Sequence, residues 1–600
     1  MNPFSSIDCL VEDGAISESK ADTIRPMAKW LNGLQEEDLL MFIAAGRVIR
    51  GLTGIAPPIP VGPIPSFDWY PALGSFASTK GPTPAFSRAS AATMIDVNGN
   101  VVWGPENLIE NSDSLYPYWF GPATISDGGY ASPDGDAMSA SLLMPTITGN
   151  PPAADASGGN RLWMQANYPA GPYTMSVWVK THLINTAVSV FLVNGDSDTV
   201  VSETQVTSSG TWQRISTSGY NISPAGVRMV IAGSEAVLVF GAMISRGTIL
   251  HDYLPTTSAP VFGPRITYDP ITHECLGYLA EEQRTNICVA SQEFESGLWS
   301  KNGAFTSVTA NASIGPDGLM TADQITIGAT SVDYSLVYQP LNVATGKYAY
   351  SIWFKGSVGG EQIWLSRTTD GVNYASQVCV LTTSWKRFVM VYDAVGPSDY
   401  IQFGVDTRDT TGGQSSSTAQ TFYAWGAQLE AGSFPTSYIP TTTAAATRSA
   451  DVCQLPEVDF PSFYNIPEGT IVSESMIPIA YSGNGVAWQV GLTDANRYVF
   501  NHATGDMTAI AGYSAQANFD WPASLSGELV KLAFAYKLND FASSKNGAST
   551  LVDTSGVGHG DQGMHIGYDG SGAWLNGTIA RITYYPVRLP DTDLVNLTQP

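Results

Sequence analysis

The sequence predicts a mostly β protein: tandem jelly-roll β-sandwiches with a short N-terminal α-helical segment. Three observations carry that prediction. Short runs alternate apolar and polar residues with period two between turn residues, as half-buried strands require. A domain-sized block occurs twice with its landmarks in the same order. The 600 residues hold 59 Gly and 37 Pro but only 14% charged side chains, where soluble chains average about 25%. The length allows three to five domains at roughly 100–200 residues each.

The helical segment comes first, within residues 1–55. Ser17 and Ser19 are N-cap candidates, with Glu18 and Asp22 suited to a first turn. Trp30, Leu31, Leu34, Leu39, Leu40, Phe42 and Ile43 recur at spacings of an apolar face, interrupted by Pro26 and Gly33. Residues 56–106 follow as a Pro-rich arm and short β connector. APPIPVGPIP, residues 56–65, suits an extended, semi-rigid spacer. A stalked attachment module, docking through Trp30, Leu31, Leu34, Leu39 and Phe42, is the favoured reading. A helical cap on the next domain is the other.

The repeat spans 107–258 and 286–447, with a connector at 259–285. Asn107-Leu108-Ile109 and Trp119 answer to Asn286-Ile287-Cys288 and Trp299. Pro133-Asp134-Gly135 answers to Pro316-Asp317-Gly318, and YTMSVWVK at Tyr173 to YAYSIWFK at Tyr348. Trp212-Gln213-Arg214 matches Trp385-Lys386-Arg387, and Gly241-Ala242 matches Gly426-Ala427. Both copies exit through Tyr-x-Pro-Thr-Thr, from Tyr253 and Tyr438. Along the second copy Tyr348, Tyr350, Ile352 and Phe354 share one strand face, with Ser351, Trp353 and Lys355 on the other. About eight short strands per copy fit a jelly roll.

These patterns, with Phe86-Ser87-Arg88-Ala89-Ser90, Pro264-Arg265-Ile266-Thr267-Tyr268-Asp269-Pro270 and Glu281-Glu282-Gln283-Arg284-Thr285-Asn286, resemble the carbohydrate-binding-module-like jelly rolls of bacteriophage tail fibre and related virion proteins. In the usual arrangement the FSRAS and EEQRTN segments lie close together; here a whole copy separates them. The first copy also ends in Met243-Ile244-Ser245-Arg246 where the second has Gln428-Leu429-Glu430. Residues 448–600, closing with Gly577-Thr578-Ile579 through Tyr584-Tyr585 to Arg588-Leu589-Pro590, resemble a concanavalin A-like or laminin G-like sandwich. The resemblance implies a phage virion protein, a tail fibre or spike that binds host surface glycan. It implies other virion proteins as partners through the N-terminus, host cell-surface polysaccharide as ligand, and a homotrimer. It places the protein in the virion, made in host cytoplasm, with no required cofactor and structural calcium left open. A head-fibre or decoration protein without essential ligand, and a polysaccharide depolymerase, are the alternatives.

Sugar binding asks for aromatic faces beside hydrogen-bonding side chains. In the second copy Trp353, Trp364, Arg367 and Asp370 offer that set. Trp163, Trp178 and Asn194 are its parallel in the first, and Trp488 is a candidate in the last domain. Trp178 and Trp353, sharing one position in both copies, read better as pillars of each sandwich. No catalytic set stands out. Glu468 and Glu474 lie six residues apart on one strand pattern, and Glu474 reads as a solvated strand residue rather than half of a carboxylate pair. His559, Asp561 and His565 fall short of a metal-ligand set, so metal is left unknown. Asp127-Gly128, Asp134-Gly135 and Asp317-Gly318 read as turns before calcium ligands.

Composition excludes further classes. A net charge of −25, with Arg47 and Arg50 as the densest basic stretch, disfavours nucleic acid. The most apolar stretch, 227–244, contains Arg228, Gly233 and Glu235, so no membrane insertion is expected. The N-terminus lacks a signal-peptide pattern. Five dispersed cysteines suggest reduced thiols.

Overall fold

The period-two alternation becomes strand after strand in the computed structural model. It describes residues 64–600 apart from 114–123, 136–139, 145–160, 167, 182–185, 196–198, 209, 224, 234–235, 304–305, 329–333, 371–373, 410–417 and 478–484. Among the described residues the α-helix is Asp591–Leu597, and nearly all other regular structure is strand. The N-terminal helical segment, with Trp30, Leu31, Leu34, Leu39 and Phe42, lies outside the described residues.

The duplicated block gives two β-sandwiches. In the second, one sheet runs Ser300–Gly303, Tyr334–Asn342, Ser398–Asp406, Gln362–Thr368, Tyr374–Val380. Its partner runs Ser307–Ser313, Ala322–Ile327, Gln420–Ala431, Gly346–Gly356, Lys386–Ala394. Tyr350, Ile352, Phe354, Ile363, Leu365, Ile401 and Phe403 fill the space between them, each at most 1% exposed. The first sandwich repeats the plan. Val200–Ser208, Thr186–Asn194, Val227–Gly233 and Arg161–Ala166 form one sheet. Gln213–Asn221, Gly171–Thr181, Val237–Arg246, Ala140–Met144 and Thr124–Tyr130 form the other.

The landmarks recur atom for atom. Asn107 Nδ2 donates to the carbonyls of Ala242 and Leu254, and its Oδ1 accepts from the N–H groups of Ile109 and Ile244. Asn286 does the same with Ala427, Ile439, Cys288 and Leu429. Ser112 and Tyr253 share a 2.6 Å hydroxyl contact, as do Ser291 and Tyr438. One asparagine thus ties the entering strand to the exit loop in each copy and satisfies buried backbone groups.

The third body differs from the sequence reading. The segments at 56–106 and 259–285 supply strands to it rather than merely connecting domains, so 448–600 is not a sandwich on its own. Phe67–Trp69 and Cys275–Ala280 both pair with Gly577–Tyr585, and Ile266–Tyr268 pairs with Cys275–Ala280, extending the sheet that holds Glu468–Met476 and Leu529–Lys537. Ala85–Ser87 pairs with Val452–Leu455 at the edge of the opposing sheet. Phe67, Trp69, Tyr278 and Ala280, each at most 1% exposed, enter the same core as Trp488, Phe534 and Ile579. Burial in that shared core is the reason these short strands are not free linkers. The two repeated sandwiches are insertions in this discontinuous one. Each leaves and returns through a two-stranded antiparallel neck: Glu106–Asn107 with Val261–Phe262, and Arg284–Asn286 with Ala446–Arg448.

A buried ionic knot joins the segments. Asp451 takes Arg88 at 2.7 Å and also Arg265, which reaches Glu281 at 2.8 Å. Arg448 closes the set at 3.5 Å from Glu281. These charged side chains are at most 6% exposed. Ser437, from the second sandwich, donates its N–H and hydroxyl to Glu281. Burial alone would push the Glu281 carboxyl up, but Arg448, Arg265 and Ser437 bring it down to about 2. The FSRAS and EEQRTN motifs, distant in sequence, therefore meet in space.

Candidate functional site

Strand alternation decides what the second sandwich shows on its outer face. On Ser398–Asp406, Ile401, Phe403 and Val405 enter the core, which sends Tyr400, Gln402, Gly404 and Asp406 outward. The neighbouring strand aligns Trp364 with Gly404, Ser366 with Gln402 and Thr368 with Tyr400. The strand beyond adds Val378, Ser376 and Tyr374 beside them in the same order. On the other flank Tyr338 lies beside Gln402 and Leu336 beside Gly404. One sheet face thus gathers Trp364, Tyr338, Tyr400 and Tyr374 around hydroxyls and an amide.

The geometry is set by a carboxylate at one end. Asp406, 1% exposed, accepts from Tyr374 OH at 3.1 Å, and from Arg408 Nε at 2.8 Å and Nη2 at 2.6 Å. Burial raises its carboxyl, but the Arg408 bonds overcome this and leave it below the ordinary range. Tyr374, pushed up to about 12 by burial and by Asp406, keeps its proton as a donor. Gln402 Nε2 stands 3.5 Å from Asp406. The rings of Tyr338 and Tyr400 lie 6.2 Å apart at 55°. Ser376 Oγ is buried without a partner. Tyr338, Tyr374 and Tyr400 are half-buried and offer ring surface to apolar C–H groups and phenol groups to hydroxyls, while Ser366, Thr368 and Gln402 are at most 4% exposed.

The structure separates the residues grouped from sequence. Trp364 aligns with this face but is buried, 8% exposed, and packs with the core. Arg367 points to the core, where Asp399 lies 3.2 Å away and the Tyr392 ring 4.9 Å. Asp370 is exposed beyond the strand end. Trp353 is on the opposite sheet, in edge contact with Trp425 and Tyr438 and 4.3 Å beneath the Arg387 guanidinium. Trp353 and Trp364 therefore do not form one constellation. Trp488 is fully buried, with Nε1 donating to Ser473 Oγ, and is core rather than platform. Tyr338, Tyr374, Tyr400, Gln402 and Asp406 were missed. The apolar alternation Ile401, Phe403, Val405 was the signal that could have exposed the last three.

The corresponding face of the first copy has an apolar centre and a polar flank, where Gln205 Nε2 donates to Ser189 Oγ at 3.0 Å. Its central pairs there are Phe191 with Val230 and Ser189 with Ala232. Phe191, Val193 and Val230 are at most 1% exposed and form their own apolar cluster. Asn194 is buried, its Oδ1 accepting the Ile222 N–H at 3.1 Å. Trp178 lies on the opposite sheet, paired with Arg214 and Phe240. Trp163 is in Arg161–Ala166 opposite Val230; its side chain lies outside the described residues.

The remaining candidates have local partners. Glu468 is 3.4 Å from Lys537 and accepts the Arg588 N–H. His559 packs on Tyr498 and His565 on Tyr568, while Asp561 accepts from Thr493 and Asn496. Asp317 is taken up by the Leu319 N–H and the Thr321 hydroxyl of its own turn. Among the described residues no group of three or more His, Cys, Asp or Glu is placed to hold a metal, and no helix is long and apolar enough to cross a membrane.

No family model matches the chain, and no curated protein matches it. Among solved structures it is similar to the tandem CBM22 domains of Paenibacillus barcinonensis Xyn10C, at 13% identity and TM-score 0.19, over 58% of this chain and 100% of that one. It is similar to TmCBM61 in complex with β-1,4-galactotriose, at 12% identity and TM-score 0.17, over 24% and 99%. It is also similar to the enzymatically active domain of bacteriophage CBA120 tailspike protein 4, at 13% identity and TM-score 0.18, over 24% of this chain and 21% of that one. Scores this low leave the site to be argued from the chain's own residues.

Proposed function

We propose that this protein is a phage virion appendage, a tail fibre or spike, whose second sandwich binds host surface glycan through its outer face. The carrying observation is that face: the half-buried rings of Tyr338, Tyr374 and Tyr400 gathered on one sheet beside Ser376. Aromatic surface interleaved with hydroxyl groups suits a polyhydroxylated ring, and a net charge of −25 favours neutral sugars over polyanions. The virion assignment is supported by the sequence motifs, with the N-terminal segment as attachment and a homotrimer as the assembly. Copies acting together would raise a weak single-site affinity. Binding, not bond cleavage, is the role proposed, with no cofactor required.

The test is binding of the purified full chain to host envelope polysaccharide, with Tyr338→Ala and Tyr400→Ala as variants. Each variant should bind at least about tenfold more weakly, roughly 1.4 kcal/mol, with circular dichroism unchanged. The free protein should compete with phage adsorption and release no oligosaccharide. Undiminished binding by both folded variants would move the site elsewhere. Adsorption untouched by excess protein would favour a decoration role.

A further inference from the structure

A second cavity lies where the second sandwich meets the discontinuous one, away from the outer face. We propose that it binds a neutral carbonyl oxygen carried on a short apolar body, as in the acetamido group of an N-acetylated sugar. Its volume is about 280 Å³, at the small end of ligand pockets. Trp353 and Phe434 line it from the second sandwich, Ile95 from a short hairpin, and Leu276 and Met476 from the discontinuous sandwich. An apolar methyl finds its surroundings there.

The Glu281 carboxylate at this cavity is already engaged by Arg265 and Ser437, while one buried donor, on Arg387, lacks an acceptor. Arg387 spends Nη1 on the Thr436 carbonyl and Nη2 on Ser351 Oγ, while its Nε is buried without a partner. Asn576 is 5% exposed and lines the cavity; its Oδ1 accepts the Glu282 N–H at 2.9 Å. Thr578, 6% exposed, also lines the cavity. A carbonyl oxygen accepts from such groups, and leaving buried donors unpaired is costly. The acceptor is neutral because the Glu281 carboxylate also lines the cavity and would repel an anion. Asn576 sits at φ 49, and a Cβ at Gly577 would fall onto the Met476 carbonyl. The backbone that presents the amide is therefore fixed in place.

This site does not depend on the outer face. The test is saturation-transfer NMR and thermal melting of the full chain carrying Tyr338→Ala and Tyr400→Ala, which disable the outer face, with N-acetylglucosamine, and with glucose as control. N-acetylglucosamine should show saturation at its acetyl methyl and raise the melting temperature with concentration; glucose should do neither. Ile95→Trp, which fills the cavity, should abolish both responses. Asn576→Asp, which keeps the shape and the Oδ1 acceptor but removes the donor, should weaken them at least tenfold. Absent acetyl saturation, equal saturation by glucose, or a response that persists in folded Ile95→Trp would overturn the proposal.

Discussion

His502 shows how one buried side chain sets a pH dependence. Its ring nitrogens lie 2.8 Å from Ser475 Oγ and Ser524 Oγ, and burial pushes its pKa down to about 3. An unfolded histidine titrates near 6.5. The neutral ring's contribution is complete above that pH and is lost as pH falls from 6.5 toward 3, at about 1.4 kcal/mol per unit. Urea unfolding of His502→Gln and the parent across that window should show a difference in slope of this size; parallel slopes would refute the assignment. Asp451 is the other residue with a sharp expectation. It joins Arg88 and Arg265 with no exposed side-chain surface. Asp451→Ala leaves buried Arg88 without a carboxylate among the described residues and Arg265 with Glu281 alone, and should cost about 3–5 kcal/mol in denaturant unfolding. At this scale the sequence was half legible. The motifs around Arg88, Arg265 and Glu281 stood out, but the knot they form did not, because its members are separated by whole inserted sandwiches.

Glycine governs the strand that closes each repeat. The pairing register slips between Phe240 and Met243 in the first copy and between Ser351 and Trp353 in the second. Gly241 and Gly426 sit at these bulges with φ 63 and φ 67, a left-handed conformation that side chains resist. A Cβ at Gly426 would lie 3.0 Å from the Trp353 ring, and one at Gly241 lies 3.1 Å from Trp178. Gly426→Ala should therefore destabilise the second sandwich by about 1–3 kcal/mol, read as a lowered urea midpoint with unchanged slope. An unchanged midpoint would show that the bulge tolerates a side chain. The Gly-Ala landmark was visible in the sequence as a repeat; its cause is this bulge over a tryptophan. Long strands such as Gly346–Gly356 announce themselves by alternation. Phe67–Trp69 and Ile266–Tyr268 do not, since three residues hold too few alternations to distinguish strand from loop.

Across the molecule the insertions are separable in principle, because each neck brings chain ends side by side. Glu106 faces Phe262 and Asn107 faces Val261. Replacing residues 108–260 with Asn-Gly should close that ribbon as a hairpin. Glu106 would lose Arg246, its 2.7 Å partner, so the deletion should carry Glu106→Gln. The shortened protein should unfold cooperatively and keep the N-acetylglucosamine response; an unfolded product would show that the first sandwich is needed for the rest. The sequence by itself determined the β class, the duplication and the strand faces, since alternation and turn chemistry act over a few residues. It also marked Trp353 and Trp364 without showing that they belong to opposite sheets. Only the tertiary structure decided that distinction and the nesting of both copies within a third sandwich. Those depend on which distant strands pair, and pairing is chosen by burial in a shared core, which no local pattern records.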